Sequence, residues 1–168
     1  METKIQNNEI DYSRLGISGL GGWLVLVQIG IYGTLLSVVL RLLLNSIPMF
    51  MSEAWVMFTS KSSEYYHALW APIIIFELIY DVLLVIFCIY ILIKFYSKSW
   101  ILPRLMIILY AAGFLVSLVG YIALEQIPLV KELESGNSIR DLIRPLLTCL
   151  IWIPYFLKSE RVKNTFIR

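Results

Sequence analysis

The sequence predicts an all-α, polytopic integral membrane protein: a bundle of four transmembrane helices with both chain ends in the cytoplasm. Composition is the first observation behind this prediction. Of the 168 residues, 59% are hydrophobic and 15% are charged, and the mean hydropathy is +0.78. A soluble domain usually carries about 25% charged residues, and one small core cannot bury so much apolar surface. We therefore expect lipid to be the solvent for much of the chain.

The spacing of the charged residues is the second observation, because it leaves four long apolar stretches. A helix needs about 20 residues to cross a hydrocarbon core about 30 Å thick. These stretches are continuous, which favours helices over the alternating pattern of a membrane barrel. Within a single membrane domain over residues 1–168, we expect spans at approximately 20–44, 71–95, 104–125 and 141–157.

The distribution of Lys and Arg predicts the orientation. Nine of these residues lie in the two tails, 1–19 and 158–168, or around the second loop, and five lie on the other side. Basic residues concentrate on the cytoplasmic side of membrane proteins, so both tails are predicted to be cytoplasmic. Tryptophan is enriched at both membrane interfaces. The inner interface is expected to carry Trp23, Trp100 and Trp152, and the outer one Trp55 and Trp70.

The connecting segments have distinct characters. The first outer loop, residues 45–70, is the longest, and its stretch 49–58 is rich in Met and aromatic residues. A short helix lying on the outer membrane surface would suit that composition. The loop over residues 96–103 is short and basic, which predicts an antiparallel hairpin of spans two and three. Ser138, followed three residues later by Asp141, matches a capping box that would start the fourth helix outside the hydrocarbon.

Small and weakly polar residues recur at helical spacing on three spans. Such residues let helix backbones approach closely in lipid. We favour the packing seam of a compact bundle over a solute pathway, and both interpretations remain open. The residues are Gly30, Thr34, Ser37 and Arg41 on span one, Gly113, Ser117 and Gly120 on span three, and Arg144, Thr148, Ile151 and Tyr155 on span four.

Two acidic residues on span two form the strongest candidate site. Glu77 and Asp81 are four residues apart and therefore project from one helix face. Near the bilayer middle an ionised acid costs about 2.5–3.5 kcal/mol, so both should face the bundle interior. With Arg41 and Arg144 they form a candidate intramembrane polar or ion site. For the two arginines we favour snorkelling to the outer interface over pairing; for the acids, a structural contact and ion binding are equally open.

Motifs of soluble enzymes are absent from the sequence. There is no P-loop, no HExxH, no GxSxG and no Cys/His cluster with metal spacing, so we expect no enzyme activity, catalytic residue, cofactor or metal. His67 is the only histidine. Cys88 and Cys149 lie inside predicted spans and are expected to be free thiols. The formal net charge of +2 is too small to indicate a nucleic-acid partner.

The two ends of the chain carry the most specific motifs. Gly21-Gly22-Trp23-Leu24 opens span one, and the chain closes with WIPYF at 152–156 and RVKNTF at 161–166. This pair resembles the bacterial membrane family of domain of unknown function 2569, from about Gly19 to the end of the chain. The resemblance implies a small four-helix protein of the bacterial inner membrane and supplies no activity.

We expect these two motifs to meet at the cytoplasmic membrane surface. Topology anchoring is the favoured role, and binding of anionic lipid, a substrate or a partner is the alternative. The candidate residues are Gly21, Gly22, Trp23, Trp152, Pro154, Tyr155, Arg161 and Lys163.

Three functions are compatible with the sequence. The favoured one is a non-enzymatic accessory or assembly partner in a membrane complex, with another membrane protein or further copies of this chain as partners. The alternative is a small transporter or ion-coupled carrier that uses the intramembrane carboxylates Glu77 and Asp81. The third is a membrane enzyme that acts on lipid, for which no catalytic constellation is visible.

Overall fold

The computed structural model describes residues 18–133 and 138–167. This part of the chain contains eight α-helices, one π-helical turn and no strand, which confirms the all-α prediction. The elements are α1 Trp23–Arg41, the π-helical turn Leu42–Ser46, α2 Ile47–Met51, α3 Glu53–Thr59, α4 Trp70–Tyr96, α5 Leu102–Leu124, α6 Pro128–Leu133, α7 Ser138–Lys158 and α8 Glu160–Thr165.

The four long helices pack in the order α1, α4, α5, α7. The contact between α5 and α7 is the most extensive, followed by α1 with α4 and α4 with α5. Over the described residues, α1 and α7 have little contact with each other. The arrangement is therefore a curved row of helices that is open on the side between α1 and α7.

Three helical segments are long and apolar enough to cross a membrane: Trp23–Met51, Trp70–Tyr96 and Leu102–Leu124. They correspond to the first three predicted spans. The fourth long helix, α7, has 21 residues, but it carries Arg140, Asp141 and Arg144 within its first two turns. The described structure therefore supports three of the four predicted spans by length and composition.

The first helical segment ends at Met51 rather than near residue 44 as predicted. A proline within a helix clashes with the carbonyl group four residues before it, and this usually kinks or ends the helix. Here the wider π-helical turn at Leu42–Ser46 ends two residues before Pro48, which lies in the first turn of α2. A local π-bulge is a known way to accommodate such a disruption.

A short helix, α3, lies in the segment where the sequence predicted an interfacial helix. Aromatic rings attach it on both sides. The ring of Trp55 lies 4.6 Å from that of Phe50 in α2, and Phe58 lies 4.9 Å from Trp70 at the start of α4. These pairs hold α3 between two long helical segments; its position relative to a bilayer stays a prediction.

The hydrophobic core lies at one end of the bundle. We call this the terminal end, because α1 begins there and α7 ends there, and we call the opposite end the far end. The core residues come from four long helices and from the chain beyond α7. They are Leu24, Val27, Ile31, Cys88, Ile91, Phe95, Leu102, Leu105, Met106, Leu109, Phe156, Val162 and Phe166. The helices are thus packed together most closely at the terminal end.

Both cysteines are free thiols, as predicted. Cys88 is buried in the core, and the thiol of Cys149 donates to the carbonyl oxygen of Tyr110 at 3.1 Å, which connects α7 to α5. The predicted capping box at Ser138 and Asp141 involves side chains outside the described part of the structure, although α7 does begin at Ser138.

The predicted hairpin between α4 and α5 closes through a Schellman motif. The amide of Ser99 donates to the carbonyl of Lys94 at 3.1 Å, and the amide of Lys98 donates to that of Phe95 at 3.2 Å. Lys98 has a φ of 52°, the left-handed conformation that this motif requires and that glycine usually supplies.

Replacing Lys98 with glycine should therefore stabilise the protein. A non-glycine residue in the left-handed region costs about 1–2 kcal/mol, and part of this cost is offset by the greater entropy of glycine in the unfolded chain. We expect Lys98→Gly to raise the unfolding free energy by about 0.5–1 kcal/mol, measured by thermal denaturation in detergent. Lys94→Gly is the matched control: it removes the same charge inside α4 and should lower stability by about 1 kcal/mol. A loss of stability in Lys98→Gly would contradict this assignment.

Candidate functional site

An ion pair joins α1 to α4 inside the bundle. The Nε of Arg41 donates to Oδ2 of Asp81 at 2.8 Å, and its Nη2 donates to Oδ1 of the same carboxylate. Asp81 is fully buried, whereas the side chain of Arg41 is 42% exposed. Two hydrogen bonds between a guanidinium group and a carboxylate fix the orientation of both groups and neutralise their charges.

The expectation that Arg41 snorkels to the outer interface is therefore wrong. Asp81 is sealed inside the bundle, and an unpaired buried carboxylate would cost several kcal/mol. Pairing removes that cost, whereas snorkelling would improve only the solvation of the arginine.

A cavity of about 890 Å³ lies between α1, α4, α5 and α7. Its size is within the range of about 300–1,000 Å³ that is common for small-molecule sites. Each of the four helices contributes polar side chains to the wall. These are Thr34, Ser37, Arg41, Glu77, Tyr80, Tyr110, Ser117, Tyr121, Arg144 and Thr148.

The glycines of this wall face open space. A Cβ atom added at Gly30, Gly33 or Gly120 would have no heavy atom within 4 Å, and one at Gly113 would reach only the hydroxyl of Tyr80 at 3.9 Å. The favoured prediction, that the small residues form a close packing seam, is wrong at Gly30 and Gly120. The helices converge at the terminal end and α1 makes little contact with α7, so the faces with small residues border a cavity.

Of the four charged residues predicted as a site, three line the cavity. Arg41, Glu77 and Arg144 contribute to the wall, whereas Asp81 does not. Glu77 and Arg144 are both exposed, and neither side chain forms a hydrogen bond or an ion pair with another residue in the described parts of the chain. Glu77 does contribute to the electrostatic field at Arg41. With Arg41 neutralised by Asp81, the wall presents one acid and one base without direct partners among the described residues.

Sequence reasoning missed Tyr80 as part of this wall. A signal was available: Ile73, Glu77, Tyr80 and Leu84 are spaced three or four residues apart on α4, and all four line the cavity. A large aromatic residue on that face was not expected beside small ones.

The two terminal motifs meet at the terminal end, as the sequence predicted. The amide of Gly19 donates to Oγ1 of Thr165 at 2.9 Å. The guanidinium group of Arg161 lies against Gly21 and Gly22, such that a Cβ atom on either glycine would be 3.1 Å from its Nη1. Gly22 also has a φ of 62° and a ψ of −135°, a combination that is open to glycine and strained for other residues.

Aromatic rings extend this contact into the bundle. Trp23 meets Trp152 edge to face with ring centres 6.3 Å apart, and Trp152 meets Tyr155 at 5.7 Å. Trp152 also lines the cavity, so the motif cluster borders the cavity at its terminal end. Pro154 and Lys163 are exposed and do not take part in these ring contacts.

These features describe an α-helical protein that has three helices capable of spanning a membrane and a cavity between its helices whose wall carries polar side chains. Residues 17–167 match the family described as Protein of unknown function (DUF2569). The chain therefore belongs to that family, in agreement with the resemblance of its terminal motifs. No match was found among curated proteins or among solved structures.

Removing one partner of the ion pair should cost far more than removing both. Arg41→Met leaves the buried Asp81 carboxylate unpaired, and we expect a loss of about 3 kcal/mol, at the low end for buried pairs because Arg41 is partly exposed. The double variant Arg41→Met/Asp81→Leu should recover most of this loss. Chemical unfolding in detergent measures both. Arg104→Met, at an exposed arginine, is the control and should change stability by less than about 0.5 kcal/mol. Equal stability of the single and double variants would contradict the pairing.

Two glycine-to-alanine substitutions should have opposite effects. Gly22→Ala introduces strain at a positive φ and a contact with Arg161, and it should destabilise the protein by about 1–3 kcal/mol. Gly30→Ala places a methyl group in open space and improves helix propensity, so it should be neutral or stabilising by up to about 1 kcal/mol. Thermal denaturation in detergent compares the two. A loss of stability in Gly30→Ala similar to that in Gly22→Ala would show that the cavity wall is closely packed.

Proposed function

We propose that this protein is a non-enzymatic, four-span protein of the bacterial inner membrane that binds a small molecule in its interhelical cavity, as a carrier or a binding protein. The observation that carries the proposal is the wall of that cavity. Gly30, Gly33 and Gly120 face open space beside polar side chains from four helices.

The physical case for ligand binding comes from the environment of these groups. Helices in lipid associate through close packing at small residues, and here the small residues of α1 border space instead. Polar and charged groups within a membrane are costly, and they usually face a functional cavity or a pathway. A cavity of this volume, whose mainly apolar wall carries a few charged and hydroxyl groups, has the character of a small-molecule site.

The fourth span in this proposal is α7. Its 21 residues would extend about 32 Å at 1.5 Å per residue, which is enough for a hydrocarbon core. It packs along α5, the third apolar segment. Arg140 and Asp141 belong to its first turn, at the far end of the bundle, which this arrangement places at the membrane surface. The predicted excess of Lys and Arg at the terminal end supports a cytoplasmic location for both termini.

The ion pair has a structural role in this proposal. Asp81 is buried behind Arg41 and is absent from the cavity wall, so it can contact a ligand only if Arg41 moves. A carrier that uses both carboxylates would therefore require the pair to open, whereas Glu77 already faces the cavity. The accessory role in a larger complex, which the sequence favoured, stays a prediction.

Water access to the cavity can be measured with single cysteines. In a variant without Cys88 and Cys149, we would introduce Gly120→Cys on the cavity wall and Val119→Cys beside it. Val119 has the same depth on α5 but is 56% exposed on the outer surface of the helix. A charged thiosulfonate reagent modifies thiolates, which need water to form, so Gly120→Cys should react at least about tenfold faster. Permeabilised vesicles expose both membrane faces to the reagent.

Equal rates at the two positions would show that the cavity is closed to water, and the proposal would fail. Val119→Cys also serves as the control for folding and for reagent quality, because denaturation by detergent should expose it fully.

A further inference from the structure

The cavity has a gradient of polarity along the bundle. Towards the terminal end its wall is mostly apolar, with Leu26, Val27 and Leu109 beside Tyr110 and Trp152. Towards the far end it carries the charged residues Glu77 and Arg144. Glu77 lies about 10 Å from the start of α4, and Arg144 lies about 9 Å from the start of α7, at 1.5 Å per residue. Each charge thus lies about two turns into a helix that begins at the far end, with Tyr80 and Thr148 one turn further along the same walls.

The open side of the helix row gives the cavity a lateral exit. Over the described residues α1 and α7 have little contact, and the ring pair of Trp23 and Trp152 joins them at the terminal end. In a four-span membrane protein, the gap between these helices would face the surrounding lipid. A ligand could thus enter sideways from the bilayer.

The charges of the wall specify the chemistry of the ligand. The guanidinium group of Arg144 suits a phosphate oxygen, and the carboxylate of Glu77 suits an ammonium group. The charge of Arg41 is neutralised by Asp81. The two charges that remain in the cavity wall, Glu77 and Arg144, sum to zero. A ligand that carried only a negative charge would pair with Arg144 and leave Glu77 unpaired within the membrane.

We infer, on the basis of the cavity-binding function proposed above, that the ligand is a phospholipid with a zwitterionic amine–phosphate headgroup. It enters between α1 and α7, places its headgroup between Glu77 and Arg144, and lays part of its acyl chains along the apolar wall. The apolar wall and the lateral gap favour a lipid over a water-soluble zwitterion, which would have no group to occupy the terminal half of the cavity.

The binding test uses the purified full-length protein, stripped of lipid in detergent and examined by native mass spectrometry. The probes are phosphatidylethanolamine, phosphatidylglycerol and water-soluble phosphoethanolamine. We expect the wild-type protein to bind phosphatidylethanolamine about tenfold more tightly than phosphatidylglycerol, which corresponds to about 1.4 kcal/mol, and to bind phosphoethanolamine at least about a hundredfold more weakly.

Substitutions at the two charges should change this preference in different ways. Glu77→Gln should remove the preference for phosphatidylethanolamine while binding of phosphatidylglycerol is kept. Arg144→Gln should weaken binding of both lipids. Glu64→Gln in the loop before α4 and Arg104→Gln at the terminal end remove the same charges outside the cavity and should change neither affinity. Gly30→Leu, which fills unoccupied space, should prevent lipid binding without lowering thermal stability.

Other outcomes would overturn the inference. Equal affinity for the two lipids in the wild-type protein, or loss of binding in Glu64→Gln as large as in Glu77→Gln, would show that the cavity charges do not select the headgroup. Tight binding of phosphoethanolamine would identify a soluble ligand instead. If no probe binds while Gly120→Cys still reacts rapidly, the lipid assignment fails and the water-accessible cavity remains. If Gly120→Cys is also unreactive, the proposed function fails with it.

Discussion

A carboxylate within a membrane-spanning helix has to be paired or neutralised, and Asp81 meets this constraint through Arg41. The pair connects the end of α1 to α4 in the half of the bundle away from the hydrophobic core. Helix association in lipid relies on packing and on polar contacts. Because packing is sparse in the far half of the bundle, a polar contact is well placed to hold α1 against α4 there. The cavity can stay open beside it because this contact does not need closely packed helix faces.

The terminal end uses a different set of interactions for the same purpose. Apolar side chains from all four long helices form the core there, and the chain beyond α7 folds back on them through Val162 and Phe166. Arg161 then lies over the two glycines that precede α1. This contact requires the absence of side chains at Gly21 and Gly22. The glycines of the first terminal motif and the arginine of the second therefore depend on each other. One end of the bundle is thus tightly closed, and the other borders a cavity.

For the fourth long helix, α7, composition and packing lead to different expectations about whether it crosses a membrane. By length and apolarity α7 is not among the segments that would cross a membrane, because its first turns are charged. Its contact with α5 is nevertheless the most extensive in the described structure. One face of α7 is covered by α5, and its charged residues lie in its first two turns and its last turn. Such a helix can be accommodated in a bilayer with less apolar surface than an isolated span needs.

Much of the fold can be read from the sequence, because charges and apolar runs act locally. They locate the long helices, the short hairpin over residues 96–103 and the helix α3 before α4. Periodicity also identifies the faces that carry Gly30, Thr34 and Ser37. Helical spacing assigns a residue to a face, but it does not determine the distance to the opposing helix. Whether those faces close into a seam or border a cavity was decided by the tertiary structure.

The charged residues illustrate the same division. The sequence by itself identified Arg41, Glu77, Asp81 and Arg144 as a group of charges within predicted spans, because each interrupts an apolar run. Only the tertiary structure decided that Arg41 pairs with Asp81 while Glu77 and Arg144 face the cavity. The rotation of each helix about its axis sets these partners, and packing at the terminal end fixes that rotation. The contact between the terminal motifs was easier to predict from the sequence, because two specific clusters at the same end of a bundle have few other surfaces to pack against.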